Sequence, residues 1–156
     1  MLILPQVIFP EDRNSYGKLF GGFIAQHAFE QAYCTAYTFT GTLPVPLGFD
    51  EMIFERPVSI GDLVRFETHV VQTKDRVMRV WVQVKVLDPQ QPELVQTHTN
   101  KLSFVFLLPI ESKLKVVPDS YAECLRHVSA ERWHEWQGPS LEELCSRGVL
   151  EACDVC

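Results

Sequence analysis

The chain has 156 residues, 46% of them hydrophobic, with 20 acidic against 14 basic side chains and a formal net charge of -6. That length and composition suit one globular domain with a proper core plus a tail, and the negative field argues against nucleic acid or an anionic membrane as a partner. The first ten residues hold no basic region followed by an apolar stretch, and no apolar run reaches spanning length, so neither a leader nor a membrane segment is expected.

A short strand is expected over Leu2 to Phe9, followed by a polar loop that ends in Phe20-Gly21-Gly22. From Phe20 to Tyr37 apolar residues recur at helical spacings over more than one face, which predicts a long helix buried nearly all round. Gly41 and the Pro44/Pro46 pair end it. Four strand-like runs follow, Leu47 to Phe54, Leu63 to Val71, Val77 to Leu87 and Leu94 to Leu108, rich in Val, Phe, Thr and Ile and bounded by turn residues such as Gly61-Asp62 and Lys74-Asp75-Arg76. In Val80 to Val86 the polar Gln83 and Lys85 alternate with valines, which predicts a sheet with one buried and one partly wet face. Short turns between successive strands imply antiparallel hairpins, and a helix this apolar needs a sheet curved around it, so an α+β domain with a helix wrapped by a meander is expected.

Beyond Pro118 helical spacing returns through Tyr121, Leu125, Val128 and Trp133, and again from Ser140 to Val149, where Ser140 and Glu143 have capping-box spacing. The expected division is a domain over 1–110 and a helical tail over 111–156, in which Trp133 and Trp136 cap the sheet or meet a partner. The five cysteines, Cys34, Cys124, Cys145, Cys153 and Cys156, fit neither a disulfide framework nor a metal spacing, so a reducing compartment and no metal are expected. Cys34 is assigned to packing.

The loop Arg13-Asn14-Ser15-Tyr16-Gly17-Lys18-Leu19-Phe20-Gly21-Gly22 carries the chemistry. It delivers the Asn14 amide to a helix start whose glycines let a ligand approach the backbone. N–H groups exposed there can face a carbonyl oxygen that is acquiring negative charge, as acyl transfer or hydrolysis requires. Asn14 has an alternative reading as an Asx-turn that shapes the entry to the helix. His27 has no nucleophile placed with it and reads as a packed histidine.

This loop, together with Gly48-Phe49-Asp50-Glu51-Met52-Ile53-Phe54-Glu55-Arg56-Pro57-Val58-Ser59-Ile60-Gly61-Asp62, resembles the hot-dog-fold acyl-CoA thioesterases over roughly residues 6 to 108. Val7-Ile8-Phe9-Pro10 and the wording of the loop look most like the second hot-dog unit of the mitochondrial double-hot-dog long-chain enzymes. The resemblance implies hydrolysis of fatty acyl-CoA to free acid and coenzyme A by direct attack of water, with no cofactor beyond the coenzyme A of the substrate and with a mitochondrial or other intracellular location. It implies an oxyanion donor at the Gly22 N–H and a polarising or water-positioning amide at Asn14. A carboxylate from the facing unit's helix is implied too, usually seven positions beyond the second glycine, but Phe29 stands there.

Glu30 is the next acid, about 100° further round the helix. Partly buried, its carboxyl would rise toward general-base range; otherwise it pairs with Gln26, a neighbouring chain's arginine or the dimer seam. Asp50 begins the strand that runs beside the ligand in this family, and either holds a water or a pantetheine amide or pairs with Arg13 or Lys18. Lys18, Arg56, Lys101 and the Lys113/Lys115 pair are the candidate contacts for coenzyme A phosphates, and Phe20, Phe23 and Phe54, together with side chains of the partner unit, are the candidate lining of the acyl pocket.

One hot-dog unit leaves its cleft open, so a homodimer, or pairing with a second unit that supplies the acid, is expected. The alternative function is a catalytically weak or inactive module that keeps the fold and binds acyl-CoA or a partner half. Phe29 favours it and the Asn14 loop opposes it. A hydratase of the same fold would need a His-containing motif that is absent.

Overall fold

The computed structural model describes residues 2–74, 76–88, 91–109 and 116–117. The sequence beyond Val117, with its expected helices, Trp133 and Trp136, and the cysteines from Cys124 onward, lies outside the described residues, as do Lys113 and Lys115.

Five strands and one long helix make up the described fold: β1 (Leu2–Val7), a 3-10 turn (Pro10–Asp12), α1 (Gly21–Thr40), β2 (Val45–Phe54), β3 (Leu63–Lys74), β4 (Val77–Asp88) and β5 (Gln91–Leu107). The helix begins without a side-chain cap and ends at Gly41, whose φ of 70° lets its N–H reach back to the Tyr37 carbonyl. All strand pairs are antiparallel, in the order β1-β3-β4-β5-β2. The β3-β4-β5 meander is as expected, but β2 does not form a hairpin with β3. It lies beyond β5 at the edge of the sheet. The segment after β2 runs past the entrance of the helix instead, where the Val58 carbonyl accepts from Leu19 and Ser59 bridges to Lys18, and this detour takes β2 and β3 to opposite sides of the sheet.

The helix packs on one face of the sheet. Ile24, Ala28, Ala32 and Ala36 meet Val64, Phe66, Val80, Val82, Val84, Leu102, Phe104 and Phe106 in a single apolar core. The alanines, spaced every four residues, let the helix lie close to the sheet. The other side of α1 is open: Gly22, Gln26, Glu30, Cys34 and Tyr37 are exposed, which corrects both the expectation of a helix buried all round and the assignment of Cys34 to packing. Tertiary contact with only one sheet face decided this, so a broad apolar pattern overstated the burial.

The face of the sheet opposite the helix is drier than its alternation suggests. Gln83 is 5% exposed and Ser103 and Val105 are fully buried. Its charges are satisfied by one another. Glu67 pairs with Arg65 at 2.7 Å and with Lys85, and Arg79 pairs with Asp50 at 2.8 Å.

Candidate active site

The helix entrance is built by a knot of backbone hydrogen bonds. Asn14 N donates to the Lys18 carbonyl at 2.6 Å, Gly17 N returns to the Asn14 carbonyl at 3.1 Å, and Phe20 N donates to the Asp12 carbonyl at 2.9 Å. Gly17, with φ 75°, supplies the left-handed residue this turn requires. The Asn14 side chain is locked within it. Its Oδ1 accepts from Tyr16 N at 2.9 Å and Lys18 N at 3.0 Å, while Nδ2 makes only a long 3.5 Å contact with the Leu19 carbonyl.

The Asx-turn reading of Asn14 is therefore realised, and it does not exclude a chemical role. Two backbone donors fix which end of the amide is oxygen, so the NH2 end is presented with a defined orientation beside the start of α1. The first-turn N–H groups of Gly21 and Gly22 have no acceptor among the described residues. Phe20 and Phe54 frame this opening. A Cβ on Gly22 would fall 2.3 Å from the Phe20 ring, and one on Gly21 would touch the Phe54 ring at 3.4 Å. Close approach, not an unusual dihedral, is what Gly22 provides, since it is helical and only Gly17, Gly41 and Gly61 have positive φ.

The carboxylates stand apart from this opening. Glu30 is held on its own helix, its Oε1 accepting from Gln26 Nε2 at 3.0 Å and its Oε2 facing His27 Nδ1 at 3.2 Å. His27 packs on Phe23 and reaches Gln6 of β1, so this cluster lies on the β1 side of α1. Asp50 joins Arg79 rather than Arg13 or Lys18. A register shift between Phe49 and Glu51 leaves Asp50 without a ladder partner, and the Arg79 guanidinium takes it. Glu67, in the buried cluster on the far face, has its carboxyl raised by burial but lowered more by the hydrogen bond and charge of Lys85 and the charges of Arg65 and His69; the net result lies below the usual carboxylate range.

Of the cations, Lys18 donates to Ser59 Oγ at 3.1 Å, Lys101 pairs with Glu55 at 2.8 Å, and Arg56 is exposed next to that pair in sequence. Lys18 stands at the helix entrance itself. Among the described residues no group of His, Cys, Asp or Glu is arranged to hold a metal.

On the other side of α1 an apolar cleft of about 240 Å³ opens against β2. Ala25 and Phe29 line it from the helix and Phe104 from β5; Pro46, Gly48, Phe49 and Met52 of β2 complete it. Phe20, Phe23 and Phe54, the candidate acyl-pocket residues, are not among the residues lining this cleft; Phe20 and Phe54 stand at the helix entrance instead. Gly48 lies between two register shifts of β2, Pro46/Gly48 and Phe49/Glu51, and a strand glycine without a side chain to pack leaves space there.

The comparisons with known proteins follow this geometry. A family model described as thioesterase superfamily matches residues 16–93. Acyl-coenzyme A thioesterase 9, mitochondrial, of Homo sapiens is 30% identical over 136 residues, covering 86% of this chain and 30% of that protein. Acyl-coenzyme A thioesterase 2, chloroplastic, of Humulus lupulus is 32% identical over 148 residues, covering 94% of this chain and 31% of that protein. The chain thus spans about 30% of the length of these relatives. Among solved structures, an acyl-CoA hydrolase from Staphylococcus aureus, determined with butyryl coenzyme A and coenzyme A, superposes with a TM-score of 0.79 at 22% identity over 84% of this chain and 82% of that one. An acyl-CoA hydrolase from Bacillus cereus gives a TM-score of 0.75 at 24% identity over 94% and 90%. The five-stranded antiparallel sheet on one long helix is the hot-dog fold of these neighbours, and the chain belongs to the thioesterase superfamily.

Proposed function

We propose that this domain binds fatty acyl-CoA and hydrolyses its thioester by direct attack of water when it is paired with a second hot-dog unit. One observation carries the reading: a side-chain amide locked by two backbone donors stands beside a helix start whose N–H groups have no acceptor. The Gly22 N–H is the oxyanion donor, and Asn14 Nδ2 polarises the carbonyl or holds the water. Donors fixed before the reaction lower the barrier because they meet charge that appears only in the transition state. Lys18 at the entrance, with Arg56 and Lys101 beyond Phe54, supplies cationic contacts for the coenzyme A phosphates, and Phe54 flanks the thioester. No further cofactor is needed.

The carboxylate that orients the water is assigned to the opposing unit, because Glu30 is engaged by Gln26 and His27 and Asp50 by Arg79. The edge of β2, unpaired among the described residues, is where that unit pairs. The family's mitochondrial relatives support a mitochondrial location, and no described helix is long and apolar enough to cross a membrane.

The test is thiol release from acyl-CoAs by the purified chain, with Asn14→Asp beside it. A site lacking its acid but keeping its oxyanion donors still accelerates the reaction by roughly 10³-fold over water. The expected result is slow turnover above the blank that falls by about a hundredfold in Asn14→Asp. Acyl-CoA bound with no thiol release would favour the second reading, a binding module, for which Phe29 at the acid's usual place speaks. Neither binding nor turnover would overturn both.

A further inference from the structure

We infer that Phe29 is a length gauge: the apolar cleft between α1 and β2 takes the alkyl tail of the bound thioester, and the Phe29 ring closes its far end. The inference rests on the helix start being the thioester site. It assigns to this unit a different use of the helix position seven beyond Gly22, recognition of the tail in place of activation of water.

The alignment of three residues along α1 carries it. Gly22, Ala25 and Phe29 follow one another at three and four residues, the spacing that sets side chains in a row on one side of a helix. A carbonyl held at the Gly22 N–H, beside the Phe20 ring that lies over Gly22, directs its alkyl tail past the small Ala25 into the cleft. There the chain meets Pro46, Gly48, Phe49 and Met52 on the strand side and Phe104 below. Among the described residues no charged side chain lines the space, so an alkyl chain meets an apolar lining on entering it, and the flexible Met52 thioether adapts to its shape.

The gauge is stiff. The Phe29 ring packs against Phe104, Phe106 and Tyr33 with centroid separations of 5.8, 6.1 and 6.2 Å, so it cannot turn aside without disturbing three aromatic neighbours. Seven residues at a rise of about 1.5 Å place it roughly 10 Å beyond Gly22. An extended alkyl chain built from bonds of about 1.5 Å advances roughly 1.3 Å per carbon, so roughly eight carbons fill the distance.

The experiment measures affinity by calorimetry for hydrolysis-resistant 2-oxoalkyl coenzyme A thioethers from butyl to hexadecyl, on the wild-type chain, Phe29→Leu and Phe29→Ala. Thermal melts confirm that each variant is folded, and Phe29→Leu keeps the test valid if the alanine variant does not fold. The expected wild-type affinity rises to about the octyl compound and then levels. In Phe29→Ala the rise continues, and the dodecyl-to-octyl affinity ratio increases by about tenfold, with Phe29→Leu between. The same plateau in all three proteins would overturn the gauge while leaving the thioester reading intact. Failure of every thioether to bind would sink the thioester reading and the gauge with it. A cleft filled by a second copy of the chain would show itself as an altered dimer dissociation constant in the variants with an unchanged chain-length profile, which also overturns the proposal.

Discussion

Asn14 joins two functions in one side chain, and its two ends can be separated chemically. The oxygen end holds the turn through the Tyr16 and Lys18 N–H groups, and the nitrogen end is the one a substrate can use. Asn14→Asp keeps the acceptor and removes the donor; Asn14→Ala removes both. We therefore expect melting temperatures close to wild type for the aspartate, a stability loss of about 1 kcal/mol for the alanine, and impaired thiol release in both. Equal loss of stability in both variants would make Asn14 a purely structural residue. Glu30 gives the opposite expectation. Its carboxylate is shared between Gln26 and His27 on the β1 side, so Glu30→Gln should change turnover by less than about twofold, since a general base of this kind contributes at least about a hundredfold. A hundredfold loss would return the acid to this chain. The Asn14 loop was legible in the sequence because turn residues and helix-opening glycines act locally. The partners of Glu30 and Asp50 were less so: Gln26 is a helical neighbour that spacing suggests, whereas Arg79 reaches Asp50 across β5 and no spacing announces it.

At the level of elements, the helix and the five strands follow the period of the apolar residues, with ends that move by a few positions. Alternation in β4 located the inner face correctly through Val82 and Val84, yet it misjudged the outer one. A period-two pattern reports polarity, and Glu67, Lys85, Arg65 and Arg79 are polar residues made compatible with burial by pairing. That pairing has a pH signature. The Glu67 carboxyl in the folded chain lies below its ordinary value near 4.5, so its contribution to stability is fully present above that value and is lost as pH falls through the lower folded one. Replacing it with glutamine leaves the half-buried Lys85 and Arg65 without their counter-charge. Thermal melts at neutral pH should show Glu67→Gln less stable by about 3 kcal/mol, and its stability should fall less steeply than wild type below about pH 4.5. An unchanged acid slope would mean that the cluster does not couple folding to Glu67 ionisation.

At the scale of the whole molecule, the order β1-β3-β4-β5-β2 decides which surface is left open. The meander reading placed β2 beside β3, because sequence patterns carry strand identity and not the path between strands; the detour of Val58 and Ser59 past the helix entrance is a long-range event. Its consequence is an edge strand carrying exposed Phe49, Ile53 and Phe54, next to a helix that exposes Tyr37 and is preceded by the exposed Phe20. An unpaired edge with apolar side chains is an invitation to pairing unless charge or proline guards it. Two copies meeting there about a two-fold axis would each extend the other's sheet and enclose the helix entrances. Ile53 is the residue to test, since it is 40% exposed on β2 opposite Lys101 and belongs to neither the cleft nor the helix entrance. Sedimentation should give the wild-type chain about twice its 17.9 kDa mass and Ile53→Lys the monomer mass, with thermal melts showing the variant folded. A lysine on a free edge costs a folded monomer little, so loss of association without loss of folding identifies β2 as the pairing edge. A variant that still sediments as a dimer would move the contact elsewhere and leave the helix entrance open to solvent, so β2 would not be the edge at which a second hot-dog unit closes the site.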